Sequence, residues 1–287
     1  MPITEQRHDN GLPFLTLSTA AAEVDVFLQG AQLTRYQPTG EPDLLWVSSA
    51  EDFQPGKPIR GGIPICWPWF GAHPDDATAP AHGLVRSEPW QWQEVTDNPE
   101  RCEITLSKQI SGAHPAFPHK ATVQLTIGLG SDLSLALTTI NQSDSAFVLS
   151  QALHSYFAVN DIQKVQLTGL GQCPYYDKVT GERALWPEQF AFDREIDRIV
   201  QDSGQVIELH QPGSTGVVIE RSGSESVVIW NPWVEKSKRL SNFNDDDYRH
   251  MLCIESANAD QDTRLIAPGD AHTLSTTLRP LKARLTT

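Results

Sequence analysis

Alternation of apolar and polar residues runs through almost the whole chain and restricts it to strand-rich folds. Segments such as AEVDVFLQGAQLTRY, DLLWVSS, CEITLSK and KATVQLTIGLG are rich in Val, Ile, Leu, Thr and Phe and are bounded by Gly, Pro, Asn, Asp or Ser. The stretch TVQLTIGLGSDLSLALTT predicts a hairpin that turns at GSD, and GVVIERSGSESVVIW predicts a second that turns at SGSE. Helical patterns are scarce, so we expect only short turns of helix within SNFNDDDYRHML and WPEQFAFD.

No internal boundary divides the chain of 287 residues, because it has no fixed repeat, no low-complexity tract and no linker rich in Gly, Pro and Ser. Large all-β domains reach this length as one unit, so we interpret residues 1–287 as a single domain. Many strands in antiparallel meanders need two covered faces or a closed barrel. We therefore expect an all-β fold, a large antiparallel β-sandwich with very little helix, whose loops carry the function.

The acidic composition narrows the set of partners. A formal net charge of −14 argues against nucleic acid and against anionic membrane surfaces. The N-terminal residues show no basic segment before a long apolar run, and no stretch approaches about eighteen apolar residues, so we expect a cytoplasmic protein without signal peptide or membrane span. The cysteines Cys66, Cys102, Cys173 and Cys253 form no C-x-x-C pair and are expected to be reduced structural thiols, not zinc ligands.

Residues 60–71, RGGIPICWPWFG, have neither helical nor regular strand periodicity, and the stretch AHGLVRSEPW follows ten residues later. Arginine can hold a phosphate with two parallel N–H bonds, which makes Arg60 and Arg86 candidate anion-binding residues. Aromatic side chains such as Trp67 are typical of walls that exclude water from a small-ligand pocket. Each feature also has a structural explanation, since the arginines could pair with neighbours such as Glu88 and the aromatic residues could belong to the core.

Three polar residues lie in or beside apolar strand-like segments. His154 stands in SQALHSYFAV and Glu255 closes the apolar run of HMLCIESANA. The two form a plausible acid–base pair if the fold brings them together, because histidine titrates near neutral pH and a buried carboxylate needs a reason to be there. The alternatives are a core histidine and a structural salt bridge. Asp197, in REIDRIV, could bind a hydroxyl group or be solvated.

Several familiar catalytic motifs are missing from the sequence. There is no G-x-S-x-G, no P-loop, no G-x-G-x-x-G that opens a helix and no H-E-x-x-H. No H-x-H cluster suggests a metal site of the cupin type. What remains is acid–base chemistry without cofactor or metal, or binding alone.

Five of these motifs occur in order between about Arg60 and Ala259: RGGIPICWPWFG, HGLVR, LHSYFAV, VIWNPWVEKSKRLSNF and YRHMLCIESANA. Together they resemble the hexose-6-phosphate mutarotases, also called glucose-6-phosphate 1-epimerases, of the galactose-mutarotase-like superfamily. The resemblance implies a mainly antiparallel β-supersandwich, in agreement with the strand pattern. It also implies that His154 and Glu255 are the catalytic pair.

The same resemblance assigns substrate contacts. Arg60, before GGIP, and Arg86, at the end of HGLVR, correspond to the phosphate-side arginines of the family, and Asp197 corresponds to its substrate-contacting aspartate. Ala81 stands where some members carry Gln just before HG, so we expect that contact to be absent or to be supplied by His82.

The sequence thus predicts a cofactor-free epimerase that interconverts the α and β anomers of hexose 6-phosphates, with glucose 6-phosphate as the expected substrate. Glu255, ionised at neutral pH, is the expected base for the anomeric hydroxyl, and His154 is the expected acid for the ring oxygen. A mutarotase for unphosphorylated aldoses is one alternative, although a neutral sugar would not need Arg60 and Arg86. A carbohydrate-binding protein without catalysis is another, although it would not need the acid–base pair. We expect a monomer.

Overall fold

The computed structural model describes residues 2–281, so residue 1 and residues 282–287 of the predicted domain lie outside the described part. The described residues form mostly strands, which are, in chain order, β1 (Ile3–Arg7), β2 (Pro13–Ser18), β3 (Ala22–Phe27), β4 (Gln32–Pro38), β5 (Ile65–Cys66), β6 (Gln91–Asp97), β7 (Cys102–Ser111), β8 (Lys120–Leu129), β9 (Leu133–Asn141), β10 (Phe147–Leu149), β11 (Gln151–Leu153), β12 (Tyr156–Ala158), β13 (Gln166–Thr168), β14 (Pro174–Asp177), β15 (Arg183–Leu185), β16 (Ile196–Gln201), β17 (Val206–His210), β18 (Gly216–Ser222), β19 (Ser226–Asn231), β20 (Met251–Asn258), β21 (Arg264–Ile266) and β22 (Ala271–Leu281).

Helix is rare and short. The α-helix α1 covers Trp233–Ser237, and 3₁₀ helices cover Ile162–Lys164, Asp247–His250 and Asp260–Asp262. Among residues 2–281 we find no helix with the length and apolar character needed to cross a membrane.

Two eight-stranded sheets dominate the structure. The first, which we call the site sheet, has the order β15-β14-β16-β19-β20-β11-β5, with β12 also paired to β20. The second has the order β13-β17-β18-β22-β9-β8-β7-β6. A four-stranded sheet of β1–β4 and a two-stranded sheet of β10 and β21 complete the fold. The paired strands are antiparallel, so the prediction of an all-β antiparallel sandwich with very little helix is confirmed.

The two large sheets differ in how they are buried. Strand β9 of the second sheet alternates buried and partly exposed residues, as expected for a strand with one face on the core. Strand β20 of the site sheet is buried at all its positions, and so are β16 and β19. Loops cover the second face of the site sheet, and polar side chains on these strands are therefore held in a largely dry environment.

One of the two predicted hairpins is confirmed and the other is wrong. Strands β8 and β9 pair in register across residues 130–132, which are the predicted GSD turn. Strands β18 and β19 do not pair with each other, because β18 lies between β17 and β22 whereas β19 lies between β16 and β20. The SGSE segment carries the chain from one sheet to the other. Two apolar runs with a short polar connection are compatible with a hairpin and also with a crossover between two sheets. Here each run is buried within its own sheet, so the crossover forms.

The two expected helical turns also have different outcomes. SNFNDDDYRHML contains the 3₁₀ helix Asp247–His250, which confirms that prediction. WPEQFAFD forms no helix: Trp186 and Phe192 are buried, and the guanidinium of Arg198 lies 5.2 Å from the ring centre of Phe190. The aromatic side chains of this segment pack on the site sheet, which favours irregular backbone over a helix.

Candidate active site

A cavity of about 450 Å³ opens above the site sheet. Its lining includes six of the seven residues for which the sequence predicts a role, namely Arg60, His82, Arg86, His154, Asp197 and Glu255. These residues come from five separate parts of the chain. The loops before β5 and β6, the connection between β11 and β12, and strands β16 and β20 meet at this place.

Strand register places His154 beside Glu255. Both β11 and β12 pair with β20, with Leu153 opposite Ser256 and Tyr156 opposite Cys253. The two residues between β11 and β12 therefore lie against the middle of β20, and His154 Nε2 is 3.4 Å from Glu255 Oε1. The two side chains that the sequence separates widely are thus direct neighbours.

His154 and Glu255 are both buried, and burial shifts the pKa of each group. Glu255 is 1% exposed and His154 is 8% exposed. Burial, followed by the charge of Asp197, raises the pKa of the Glu255 carboxyl well above its ordinary value. Burial also lowers the pKa of the His154 imidazole well below its ordinary value, and the positive charge of Arg86 adds to this. Burial thus disfavours the charged form of both groups, and their short separation makes the two titrations depend on each other.

Both members of the pair keep polar atoms free for a ligand. Within residues 2–281, His154 Nδ1 and Glu255 Oε2 are buried and have no hydrogen-bond partner. A buried polar atom without a partner is unfavourable, so it marks a place where a ligand or water can bind. The Sγ atom of Cys253 belongs to the same group of donors, which could hold a metal ion.

Arg60 reaches the cavity from a loop that two glycines shape. Its Nε donates a hydrogen bond to the Ser241 carbonyl at 3.4 Å, and its Nη1 lies 3.5 Å from the hydroxyl of Tyr156. Gly62 has φ +65°, and a Cβ there would lie 1.9 Å from the Leu33 carbonyl oxygen, so no other residue fits. The GG pair of the sequence thus lets the loop lie directly on β4 and directs Arg60 into the cavity.

Arg86 and His82 enter the cavity from the next loop. Arg86 Nη2 donates to the carbonyl of Ala81 at 2.8 Å. His82 Nδ1 accepts a hydrogen bond from the Gly71 N–H at 3.3 Å, which leaves the hydrogen of the neutral ring on Nε2. Burial, with help from nearby cations of which Arg86 is the foremost, lowers the pKa of His82 to about 3. His82 is therefore a neutral hydrogen-bond donor beside His154, with ring centres 5.5 Å apart.

Neither arginine is engaged in an ion pair within the part of the chain that the structure describes. The suggested partner Glu88 lies 3.5 Å from Lys108 instead. Two guanidinium groups thus face a cavity of a strongly acidic protein without a carboxylate to neutralise them. Such a place attracts an anion.

Asp197 is buried and ion-paired, so it is not solvated. It lies on β16 directly across from Trp230, which in turn is opposite Cys253 on β20. Its carboxylate is 3.1 Å from Lys178 Nζ and 3.8 Å from Lys236 Nζ. Lys178 is the nearer partner of Asp197, because Lys236 donates to Glu195 Oε1 at 2.8 Å.

The structure corrects the prediction for Trp67. Its side chain is 0% exposed, its Nε1 donates to Thr139 Oγ1 at 2.9 Å, and its ring packs edge-on against Phe117. It belongs to the core below the loop and is not part of the cavity lining. The aromatic wall comes instead from Phe70, of the same segment, and from the strand residues Tyr156 and Trp230.

Among the lining residues that sequence reasoning missed, four carry charged groups or ring systems close to the predicted residues, namely Tyr156, Lys178, Trp230 and Lys236. Tyr156 stacks on the His154 ring, with centres 4.9 Å apart and an interplanar angle of 14°. Three of the four stand in motifs that carry the family resemblance, LHSYFAV and VIWNPWVEKSKRLSNF, so a signal for them was present. Lys178 follows PYYD and has no such signal.

The chain is similar to known proteins over nearly its whole length. The family model described as Aldose 1-epimerase matches residues 13–279. A protein of Escherichia coli (strain K12) named "Putative glucose-6-phosphate 1-epimerase" is 29% identical over 275 residues, which cover 94% of this chain and 92% of that protein. A protein of Cenchrus ciliaris with the same name is 29% identical over 263 residues, covering 86% of this chain and 78% of that protein. The crystal structure of a "putative mutarotase" from Salmonella typhimurium matches with a TM-score of 0.89 and 27% identity, covering 98% of this chain and 94% of that chain.

Proposed function

The chain belongs to the aldose 1-epimerase family, and from that premise we propose that it interconverts the α and β anomers of a hexose 6-phosphate, with glucose 6-phosphate as the expected substrate. It is an isomerase of the epimerase type. The names of the relatives from Escherichia coli and Cenchrus ciliaris support the phosphorylated substrate.

The observation that carries the proposal is the pair of unpaired arginines in the cavity. Arg60 and Arg86 face the same space as His154 and Glu255. A neutral aldose offers no charge to these guanidinium groups, whereas a phosphate monoester offers two negative charges and three acceptor oxygens. A phosphosugar held at the arginines and at the acid–base pair would use both features of the cavity.

The chemistry requires one proton on the catalytic pair. In ring opening, the Glu255 carboxylate takes the proton of the anomeric hydroxyl while His154 gives its proton to the ring oxygen, and the C1–O5 bond breaks to leave an open aldehyde. Rotation about C1–C2 presents the other face of the carbonyl. In reclosure His154 takes the proton back from O5 and Glu255 returns one to O1, so the enzyme ends as it began.

Substrate binding helps to place that proton on His154. In the free protein, burial and the cations around His154 disfavour the imidazolium, and burial disfavours the ionised form of Glu255. The reactive form has the proton on His154 and an ionised Glu255. A bound phosphate offsets the charges of Arg86 and Arg60, which are among the causes that lower the pKa of His154. The phosphosugar therefore favours the imidazolium that its own ring opening needs.

Other residues of the cavity contribute contacts in this proposal. His82 donates from Nε2 toward the sugar, and Asp197 accepts from a sugar hydroxyl while Lys178 holds it in place. Phe70 and Trp230 supply the apolar walls on which the C–H faces of a sugar ring pack. None of these steps uses a metal or a cofactor.

We also propose that the protein acts as a single domain and a monomer, in the cytoplasm, without nucleic acid or membrane partners. One family model spans residues 13–279, which supports a single unit. The acidic net charge supports the absence of polyanionic partners. Phosphosugars are charged and do not cross bilayers unaided, which supports a place inside the cell.

Substrate preference tests the proposal. Anomer exchange is followed by NMR for glucose 6-phosphate, glucose and galactose with one enzyme preparation. We expect the highest kcat/KM for glucose 6-phosphate. A higher value for either free sugar would contradict the assignment of a phosphorylated substrate, and no exchange with any of the three would favour a binding protein.

A further inference from the structure

Three metal-binding side chains converge at the floor of the cavity. The donor atoms of His154, Cys253 and Glu255 all lie within 4.8 Å of one another, and His154 Nε2 is 3.4 Å from Glu255 Oε1. All three residues are buried. The set combines an imidazole, a thiol and a carboxylate, which is a donor set that Zn²⁺ and related cations accept.

Strand geometry directs the thiol toward the catalytic pair. Cys253 and Glu255 are two residues apart on β20, so their side chains lie on the same face of the site sheet. Cys253 is opposite Tyr156 on one neighbouring strand and opposite Trp230 on the other, and both of these residues line the cavity. The thiol therefore lies just beneath the cavity surface, next to the two reactive side chains.

The proposed epimerase reaction does not use Cys253. Its thiol is fully buried, and the Glu255 oxygen Oε2 has no hydrogen-bond partner within residues 2–281. A carboxylate oxygen left without a partner in a dry site is available as a ligand.

We propose that Zn²⁺, or a similar thiophilic divalent cation, binds at His154 Nε2, Cys253 Sγ and the Glu255 carboxylate and thereby inhibits the enzyme. Zinc binds S at about 2.3 Å and N or O at about 2.0–2.2 Å, which separates tetrahedral donors by roughly 3.4–3.6 Å. The His154–Glu255 distance of 3.4 Å already meets this spacing, and Sγ lies within 4.8 Å of both other donors.

Occupancy of this site stops proton transfer because the metal takes the nitrogen and the carboxylate that carry the proton. Binding releases the thiol proton and the single proton of the His154–Glu255 pair to solvent. Affinity therefore rises with pH, as for other sites whose ligands must lose protons. The cation is an inhibitor that competes with the sugar, and the metal-free protein is the active form.

The test titrates Cd²⁺, a spectroscopic substitute for Zn²⁺, into the metal-free protein and records the ultraviolet thiolate-to-metal charge-transfer band. We expect saturation at one equivalent in the wild type. Cys253→Ser and Cys253→Ala should lose the band and weaken binding at least tenfold, and Glu255→Gln should also weaken it. Cys173→Ser is the matched control, because Cys173 is a partly exposed thiol outside the cavity, and it should keep the band.

A band of equal size in the two Cys253 variants, or none in the wild type, would overturn the proposal. Circular dichroism checks that both variants fold, and the serine variant preserves the size of the thiol. The absorbance does not depend on enzymatic activity, so failure of the proposed function leaves this result readable. Where activity is present, Zn²⁺ should inhibit the wild type reversibly by chelator, and at least tenfold more metal should be needed for Cys253→Ser.

Discussion

His154 Nε2 lies 3.4 Å from Glu255 Oε1, at the one place where two short strands, β11 and β12, pair with the same long strand β20. The gap between the short strands holds His154 against the middle of β20. The backbone N–H of His154 also donates to the carbonyl of Pro64 at 3.0 Å, which ties this residue to the loop that carries Arg60. The register of three strands and one loop thus fixes the positions of the proposed acid, the proposed base and one candidate phosphate ligand together.

Removal of either proton-transferring group should abolish most of the activity. Glu255→Gln keeps shape but cannot accept a proton, and His154→Asn keeps a polar group but cannot transfer one. Each should lose at least about a hundredfold in kcat, with KM nearly unchanged, and the double variant should lose less than the product of the two. Steady-state anomerisation rates provide the measurement.

A second histidine–glutamate pair in the same protein provides the control. His210 Nε2 lies 3.0 Å from Glu208 Oε2, but both side chains are about two-fifths exposed and neither residue lines the cavity. His210→Asn and Glu208→Gln should retain wild-type kcat. Equal activity of Glu255→Gln and the wild type would contradict the assigned base.

The arginine variants should separate phosphate binding from sugar chemistry. Arg60→Ala and Arg86→Ala should each raise KM for glucose 6-phosphate by about ten- to a hundredfold, since a hydrogen bond to a charged group contributes roughly 1.5–3 kcal/mol. The slow turnover of free glucose should change much less, and high salt should weaken binding of the phosphosugar in the wild type. Arg249→Ala, on the surface beside Asp246, is the matched control. If both cavity variants bind the phosphosugar as the wild type does, the anion site lies elsewhere.

The pH profile of kcat/KM should be bell-shaped, because the active form carries one proton on the catalytic pair. A second proton has to enter His154, whose pKa is lowered below its ordinary value of 6.5, so that group sets the acid limb. The last proton leaves Glu255, whose pKa is raised above its ordinary value of 4.5, so that group sets the alkaline limb. Asp197→Asn removes a charge that raises the pKa of Glu255 and should move the alkaline limb to lower pH. An unmoved limb would show that Asp197 does not act on this titration.

Glu255→Gln, which should lower the activity, should raise the stability of the folded protein at alkaline pH. The folded state raises the pKa of Glu255, so it binds this proton more tightly than the unfolded chain does, and the free energy of unfolding falls as pH rises above about 4.5. Glu255→Gln removes this penalty and should melt at a higher temperature than the wild type at pH 8. The difference should vanish at low pH, where the carboxyl is protonated in both states. If Glu255 serves only to stabilise the core, the variant will instead melt lower at every pH.

The sequence predicted the antiparallel sandwich, but it could not predict which strands are neighbours in the sheets. The alternation in β8 and β9 identifies a hairpin because the turn and both strands are local, whereas β18 and β19 look the same locally and belong to different sheets. His154 and Glu255 could be nominated as strand-borne polar residues, but their contact depends on a register that no local pattern encodes.

The errors at the site have similar causes. Trp67 and Phe70 stand three residues apart in one aromatic segment, and the sequence gives no means to know which ring faces the core and which faces the cavity. Lys178 was missed because its role depends on Asp197, a partner on another strand. The single domain, the monomeric state and the cytoplasmic location stay predictions.

The most direct test of the account is two-dimensional exchange NMR on equilibrated glucose 6-phosphate, in buffer with a metal chelator. The account predicts exchange cross-peaks between the α and β anomeric protons with the wild-type protein. Buffer alone and folded Glu255→Gln protein at the same concentration should give none on that timescale. Absence of the cross-peaks with wild-type protein, or their loss only when chelator is added, would contradict the claim that His154 and Glu255 epimerise a hexose 6-phosphate without a metal.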